Sequence, residues 1–216
     1  MRSLNVISGQ KQLSTMEKTL TLTNFKCQAL YSKVPGVPVV FLPGFSYTAD
    51  VWQRIGATDL LLEKKVPFLA LDMPYGLKTS CHPKTRDPEA NVSFLVDAVQ
   101  NVFGSAAPAL VGASLGGYIA LMYAAKFPVK GLLLISPARA LTENLVECYS
   151  KFRFPVRIIW GEQDNIVSGE EMRTLADKVP NAKLLVYRDA SHSAYLSQPQ
   201  LFKRDLLEFY AKAEQT

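Results

Sequence analysis

The sequence predicts an α/β fold in which a mostly parallel, eight-stranded sheet carries helices on both faces. Short apolar runs alternate with longer stretches at helical spacing, as in doubly wound sheets. Several runs, such as "GLLLI", are continuous in Val, Ile and Leu, which is typical of strands buried on both faces. With 216 residues, 48% of them hydrophobic, the chain can form one domain with a sizeable core.

These patterns predict eight strands, six helices and one edge hairpin. The predicted strands are 19–24, 28–33, 37–44, 67–74, 108–114, 131–138, 156–164 and 183–189. The predicted helices are 50–65, 88–103, 115–127, 140–151, 169–179 and 198–212. The first two strands are polar and alternating, so we expect them to form an antiparallel hairpin at one edge. Residues 1–16 are polar and are predicted to be a flexible leader, which leaves 17–216 as a single domain.

The composition argues against several classes of protein. No segment is long and apolar enough to span a bilayer, and the leader lacks the apolar core of a signal peptide. The three cysteines, Cys27, Cys81 and Cys148, have no metal-binding spacing and favour a reducing, cytoplasmic compartment over a disulfide framework. A net charge of +5 is modest and spread along the chain, which favours a solvated surface over a nucleic-acid patch. We therefore expect no metal or cofactor, no nucleic-acid or membrane partner, and a monomer or weak homodimer.

The strongest motif is "GASLGG", with Ser114 flanked by Gly112 and Gly116 in a G-x-S-x-G pattern. A predicted strand precedes the serine and a predicted helix follows it. Ser114 therefore lies on a sharp turn that strains the backbone and raises the hydroxyl above the sheet. The alternative is a glycine-rich phosphate turn, but the lysine of a P-loop and the G-x-G-x-x-G spacing are both missing. Ser114 is the predicted nucleophile.

A serine nucleophile needs a base, normally a histidine oriented by an acid. Sheets with such a turn have the chain order serine, acid, histidine. His82 precedes the serine, so only His192 complies, and a surface histidine is the alternative. Asp164 ends the strand before "NIV" and is the predicted acid. Glu162 or Asp189 could serve instead, and Asp164 could simply cap the helix that follows.

Backbone donors and pocket residues complete the predicted site. The oxyanion is expected to bind the N–H groups of Leu115, directly after the nucleophile, and of Phe45, directly after Gly44. About seventeen residues separate the sixth strand from the seventh, enough for a cap of one helix. The predicted substrate-binding side chains are Tyr118, Tyr195, Leu141 and Leu145. For each of them, packing in the core is an equal alternative.

A basic loop, residues 75–86, carries Lys78, His82, Lys84 and Arg86 near the mouth of the expected cleft. We hypothesise that these side chains favour substrates with acidic acyl or alcohol groups. Alternatively, these charged side chains are simply solvated and play no part in substrate selection.

Together these motifs resemble the α/β-hydrolase superfamily from about residue 18 onward. The matching segments are "LPGF", Trp52, "LDMP", "GASLGG", "WGEQD" and "ASHSAYL". The compact size resembles small, nearly lidless serine hydrolases of the abhydrolase-14-like type. The resemblance implies the α/β-hydrolase fold with a minimal cap, a catalytic triad of Ser114, Asp164 and His192, and oxyanion donors at Phe45 and Leu115.

The resemblance implies a serine carboxylesterase that acts on a small-molecule acyl ester through an acyl-enzyme. Thioesterases, amide deacylases and carbon–carbon bond hydrolases use the same machinery, and a binding or scaffold protein on the same frame is the other alternative. Two segments depart from the usual pattern. Pro43-Gly44 stands where His-Gly is common, and "DMPYGLKTS" replaces D-x-P-G-x-G. We expect neither departure to affect the chemistry.

Overall fold

The part of the chain that the structure describes contains one eight-stranded sheet. The computed structural model describes residues 16–21 and 24–216, so the predicted leader lies outside the described residues except for its last one. The strands are β1 Met16–Thr21, β2 Lys26–Ser32, β3 Val39–Leu42, β4 Phe68–Leu71, β5 Ala109–Ala113, β6 Gly131–Ile135, β7 Val156–Gly161 and β8 Ala182–Tyr187. Their order is β1-β2-β4-β3-β5-β6-β7-β8. β2 is antiparallel to β1 and to β4, and the other neighbours are parallel. The mostly parallel sheet with its edge hairpin is therefore confirmed.

Eight helices connect or follow the strands of the described chain. They are α1 Asp50–Arg54, α2 Ala57–Glu63, α3 Pro88–Phe103, α4 Leu115–Ala124, α5 Glu143–Tyr149, α6 Gly169–Lys178, α7 Ala194–Ser197 and α8 Pro199–Ala213. Gly56 has a φ of +72° and divides the helix predicted over 50–65 into α1 and α2. The short α7 was not predicted. Within the described chain, no helix has the length and apolar character needed to cross a membrane.

The helices cover the sheet in two layers, as predicted. Along β3, Val40 and Leu42 point into one core and Val39 and Phe41 into the other. Helices α3, α4, α5 and α6 pack on the first core, and α1, α2, α7 and α8 pack on the second. The alternation follows from the two-residue period of a strand buried on both faces. α5 is the one helix between β6 and β7, which agrees with the predicted minimal cap.

One expectation from the cysteine count is wrong. Cys27 on β2 and Cys81 form a disulfide, with their Cα atoms 4.1 Å apart. The neighbouring residues Lys26 and His82 form an antiparallel bridge through two backbone hydrogen bonds of 2.9 Å, which brings the two cysteines opposite each other. Cys148 is a free thiol. The cysteines therefore give no reason to prefer a reducing compartment.

Candidate active site

Ser114 occupies the turn between β5 and α4, with φ +51° and ψ −113°. Non-glycine residues rarely adopt such a backbone conformation. A Cβ atom on Gly116 would lie 2.4 Å from the carbonyl oxygen of Leu42, and one on Gly112 would lie 2.5 Å from the carbonyl oxygen of Gly116. The two glycines are therefore needed because α4 approaches β3 and β5 too closely for side chains at these positions.

His192 and Asp164 form a hydrogen-bonded pair beyond the carboxyl ends of β8 and β7. His192 Nδ1 lies 2.9 Å from Asp164 Oδ2. The other carboxylate oxygen, Oδ1, accepts from the N–H groups of Ile166 at 2.8 Å and Val167 at 3.0 Å. The Asp164 side chain is fully buried, whereas that of His192 is 15% exposed. This geometry allows the histidine to face a substrate while the acid is shielded from water.

The pKa of Asp164 lies below its usual value, although burial by itself would raise it. The hydrogen bonds from Val167, Ile166 and His192 outweigh burial because they favour the charged form. The buried Ser136 hydroxyl also lies close to this carboxylate. Its Oγ has no hydrogen-bond partner at normal distance among the described residues, so its effect on the pKa of Asp164 is weak. The ionised acid holds the proton of His192 on Nδ1 and leaves Nε2 free to accept another.

The structure pairs His192 with Asp164 rather than with either alternative acid, and Asp164 does not act as a helix cap. Glu162 is exposed, and Asp189 is an exposed acceptor for the side-chain amide of Gln163 at 3.4 Å. The N-cap of α6 is Ser168, whose hydroxyl accepts a hydrogen bond from a backbone N–H in the first turn. Asp164 therefore does not cap that helix, and its carboxylate is directed to the histidine.

A cleft of about 260 Å³ brings together the side chains of Ser114 and His192 and the Gly44–Phe45 segment. Sequence reasoning missed several residues that line it, among them Tyr47 and Ile166. The Tyr47 hydroxyl lies 3.5 Å from Ser193 Oγ, and Ile166 is 70% exposed at the rim. Tyr47 follows the predicted donor by two positions, so its sequence position was the available signal. Ile166 is an apolar residue in an otherwise polar turn, which was a weaker signal.

The two predicted oxyanion donors have free N–H groups. Within residues 24–216, neither the N–H of Phe45 nor that of Leu115 donates to another protein group. Leu115 is the first residue of α4, where N–H groups have no partner within the helix and the helix dipole favours negative charge. A Cβ on Gly44 would meet Ser114 Cβ at 3.6 Å, an ordinary contact. Steric crowding therefore does not require a glycine at position 44.

The loop after β4 holds the segment that carries the Phe45 N–H. The hydroxyl of Tyr75 donates to the carbonyl oxygen of Pro43 at 2.5 Å, and the Leu77 N–H donates to the carbonyl oxygen of Phe45 at 2.8 Å. Tyr75 is almost completely buried, and burial raises the pKa of its phenol well above the usual value. It therefore remains a neutral donor. The "DMPYGLKTS" departure was expected to be irrelevant to the site, but it fixes one of the candidate oxyanion donors.

We expect Tyr75→Phe to lower kcat about tenfold, because the Pro43 carbonyl loses its donor and the Phe45 N–H is held less firmly, although the Leu77 bond remains. Loss of a buried hydrogen bond should also lower the free energy of unfolding by about 1 kcal/mol. The matched control is Tyr149→Phe, which removes a buried phenol that donates to the Ala140 carbonyl. Steady-state kinetics and urea unfolding of both variants provide the comparison. An equal fall of kcat in both variants would contradict a positioning role for Tyr75.

The predicted substrate-binding side chains separate into three places. Tyr195 lines the cleft with Ser114, although it is 1% exposed and stacks on Trp52 with ring centroids 4.9 Å apart. Tyr118 and Leu145 instead line a separate cavity of about 440 Å³ beside Cys148. Leu141 is half-buried against the core. The structure therefore brings only Tyr195 to the cleft, because Tyr118 and Leu145 lie on helical faces directed elsewhere and Leu141 lies in the turn before α5.

A family model described as the alpha/beta hydrolase family matches residues 39–155, which is more than half of the chain. The chain belongs to the α/β-hydrolase family. The matched range includes the Gly44–Phe45 segment, the Ser114 turn and the cap helix α5. Asp164 and His192 follow it along the chain.

Comparisons with individual proteins place this chain with ABHD14-like proteins, as predicted. Human ABHD14A is 31% identical over 176 residues, which cover 80% of this chain and 64% of that protein, so the chain spans slightly less than two thirds of this relative. Rat ABHD14B, by name a candidate protein-lysine deacylase, is 28% identical over 79% of this chain and 81% of its own. A predicted CIB-like hydrolase from Thermoplasma acidophilum has a TM-score of 0.82 at 19% identity, covering 91% of this chain and 98% of that structure. At that identity the likeness shows the fold alone.

Proposed function

We propose that this hydrolase is a serine carboxylesterase that cleaves small acyl esters through Ser114, His192 and Asp164. The observation that carries the proposal is the 2.9 Å contact between His192 Nδ1 and the buried Asp164 carboxylate, beside the cleft that Ser114 lines. A buried carboxylate bonded to a partly exposed histidine is the arrangement that activates a serine hydroxyl.

In the proposed reaction Ser114 Oγ attacks the ester carbonyl carbon while His192 Nε2 accepts the hydroxyl proton. The carbonyl oxygen becomes negative and is bound by the N–H groups of Phe45 and Leu115. His192 then gives its proton to the leaving alkoxide as the carbon–oxygen bond breaks, which leaves an acyl-enzyme. A water molecule repeats these steps on the acyl-enzyme, releases the carboxylic acid and restores Ser114.

An amide deacylase is the second candidate function. ABHD14B carries that activity in its name, and the chain shares 28% identity with the rat protein. The cleft has an open rim, where Ile166 is 70% exposed, so an acyl-lysine on a protein surface could approach it. An amide needs the same nucleophile and a proton for its amine leaving group, which His192 can supply. Thioesters and carbon–carbon bonds are further substrates for this machinery.

The test is exposure of the intact protein to a fluorophosphonate, followed by mass measurement and peptide mapping. We expect one adduct, on Ser114, and loss of that adduct in His192→Ala, because the hydroxyl is reactive only when a base accepts its proton. Circular dichroism of both proteins controls for folding. A folded wild-type protein that acquires no adduct would contradict an activated serine and favour a non-catalytic scaffold.

A further inference from the structure

A second cavity, of about 300 Å³, adjoins the candidate active site, and Phe45 lines both. In the proposed reaction the Phe45 N–H binds the carbonyl oxygen. A substrate held at that N–H would enter the second cavity by extending past Phe45, the residue that the two cavities share. The walls near Phe45 are apolar and include Leu77, which is 55% exposed. This region suits a short hydrocarbon chain.

Two cations, Lys84 and Arg86, also line the second cavity, next to its apolar wall. Lys84 Nζ donates to the carbonyl oxygen of Leu77 at 3.1 Å, and the Arg86 guanidinium lies 5.4 Å from the centroid of the Phe45 ring. In the described chain neither cation has a carboxylate within 4.0 Å. The adjacent acid, Asp87, accepts a backbone hydrogen bond as the N-cap of α3. The cavity is therefore positive and has no protein counter-ion at contact distance.

The structure narrows the sequence hypothesis about the basic loop from four side chains to two. Lys78 lines a different cavity, which also contains the carboxylates of Asp50 and Asp72. His82 does not line the second cavity, and its backbone pairs with Lys26 at the sheet edge. Lys78 is thus a natural control, because it lies in the same loop and carries the same charge at a different location.

We propose that the second cavity is a subsite for a carboxylate at the end of a short apolar chain of the substrate. The proposal rests on the proposed function, since it assumes that the ester carbonyl lies at the Phe45 N–H. Phe45 and Leu77 contact the chain, and Lys84 and Arg86 bind the carboxylate, Arg86 through its planar donor pair. The carboxylate is carried either on the acyl chain or on the alcohol, because both extend from the same carbonyl carbon.

The kinetic test compares esters that differ only in charge. One pair is the p-nitrophenyl monoester of glutarate and the p-nitrophenyl ester of an uncharged acyl chain of the same size; a second pair carries the carboxylate on the alcohol. For exposed cations we expect kcat/KM to favour the anionic member of one pair about fivefold at low salt, and less at high salt. The double variant Lys84→Gln/Arg86→Gln should lose the preference, and Lys78→Gln should keep it.

A binding measurement separates failure of this subsite from failure of the proposed function. Titration calorimetry with glutarate needs no turnover, and we expect the double variant to bind glutarate at least about fivefold more weakly than Lys78→Gln. If the neutral esters are not hydrolysed, the proposed function is wrong, and glutarate binding still tests the cavity. Hydrolysis without charge preference in either pair would overturn the subsite, as would a preference that the double variant retains. Equal glutarate binding by both variants would also overturn it.

Discussion

Replacement of Ser114 by alanine should lower kcat at least about a thousandfold and leave KM and the fold nearly unchanged. The hydroxyl is the only protein group in the proposed mechanism that forms a bond to the acyl carbon. A positive φ is about equally unfavourable for alanine and for serine, so the substitution adds little backbone strain at this turn. The remaining N–H donors at Phe45 and Leu115 should preserve substrate binding.

Hydrolysis of p-nitrophenyl butyrate and thermal unfolding by circular dichroism measure the two effects separately. Ser46→Ala is the matched control, because it removes an exposed hydroxyl from the same cleft. We expect this control to keep activity within about twofold of wild type. If Ser114→Ala retained a tenth of the wild-type kcat, another group would have to be the nucleophile.

The fold was predictable because local sequence patterns report how strands and helices are buried. "VVFL" in β3 is fully buried and sends alternate side chains into two cores, and the continuous apolar runs reveal such strands directly. The break at Gly56 was harder to predict, since one glycine is often tolerated inside a helix. The disulfide was not predictable from spacing, because Cys27 and Cys81 are 54 residues apart and meet only through a backbone bridge.

The candidate site was predictable to the extent that each member follows a strand. Ser114, Asp164 and His192 follow β5, β7 and β8, and the carboxyl ends of parallel strands lie at one edge of the sheet. Tyr118 and Leu145 lie on helices, and helical spacing identifies a face but not the cavity that the face lines. The Tyr75 contact depends on a loop conformation, for which the sequence offered no periodic signal.

Asp164→Asn should lower kcat by about a thousandfold to ten-thousandfold, because the geometry imposes the wrong histidine tautomer. The backbone donors at Ile166 and Val167 bind Oδ1, so the amide oxygen of asparagine should keep that position. Its NH₂ group would then face His192 Nδ1, which must accept. The histidine proton would move to Nε2, and this nitrogen, the base in the proposed mechanism, could no longer accept a proton from Ser114.

The control for this substitution is Asp189→Asn, an exposed acid three residues before His192 that was the alternative candidate. It should stay within about twofold of wild-type kcat, since its only side-chain contact among the described residues is the 3.4 Å bond from Gln163. The tautomer itself can be read from the ¹⁵N shifts of His192 in the two variants. We expect the His192 proton on Nδ1 in Asp189→Asn and on Nε2 in Asp164→Asn. If Asp164→Asn kept the proton on Nδ1 or lost less than about tenfold in kcat, Asp164 would not orient the base.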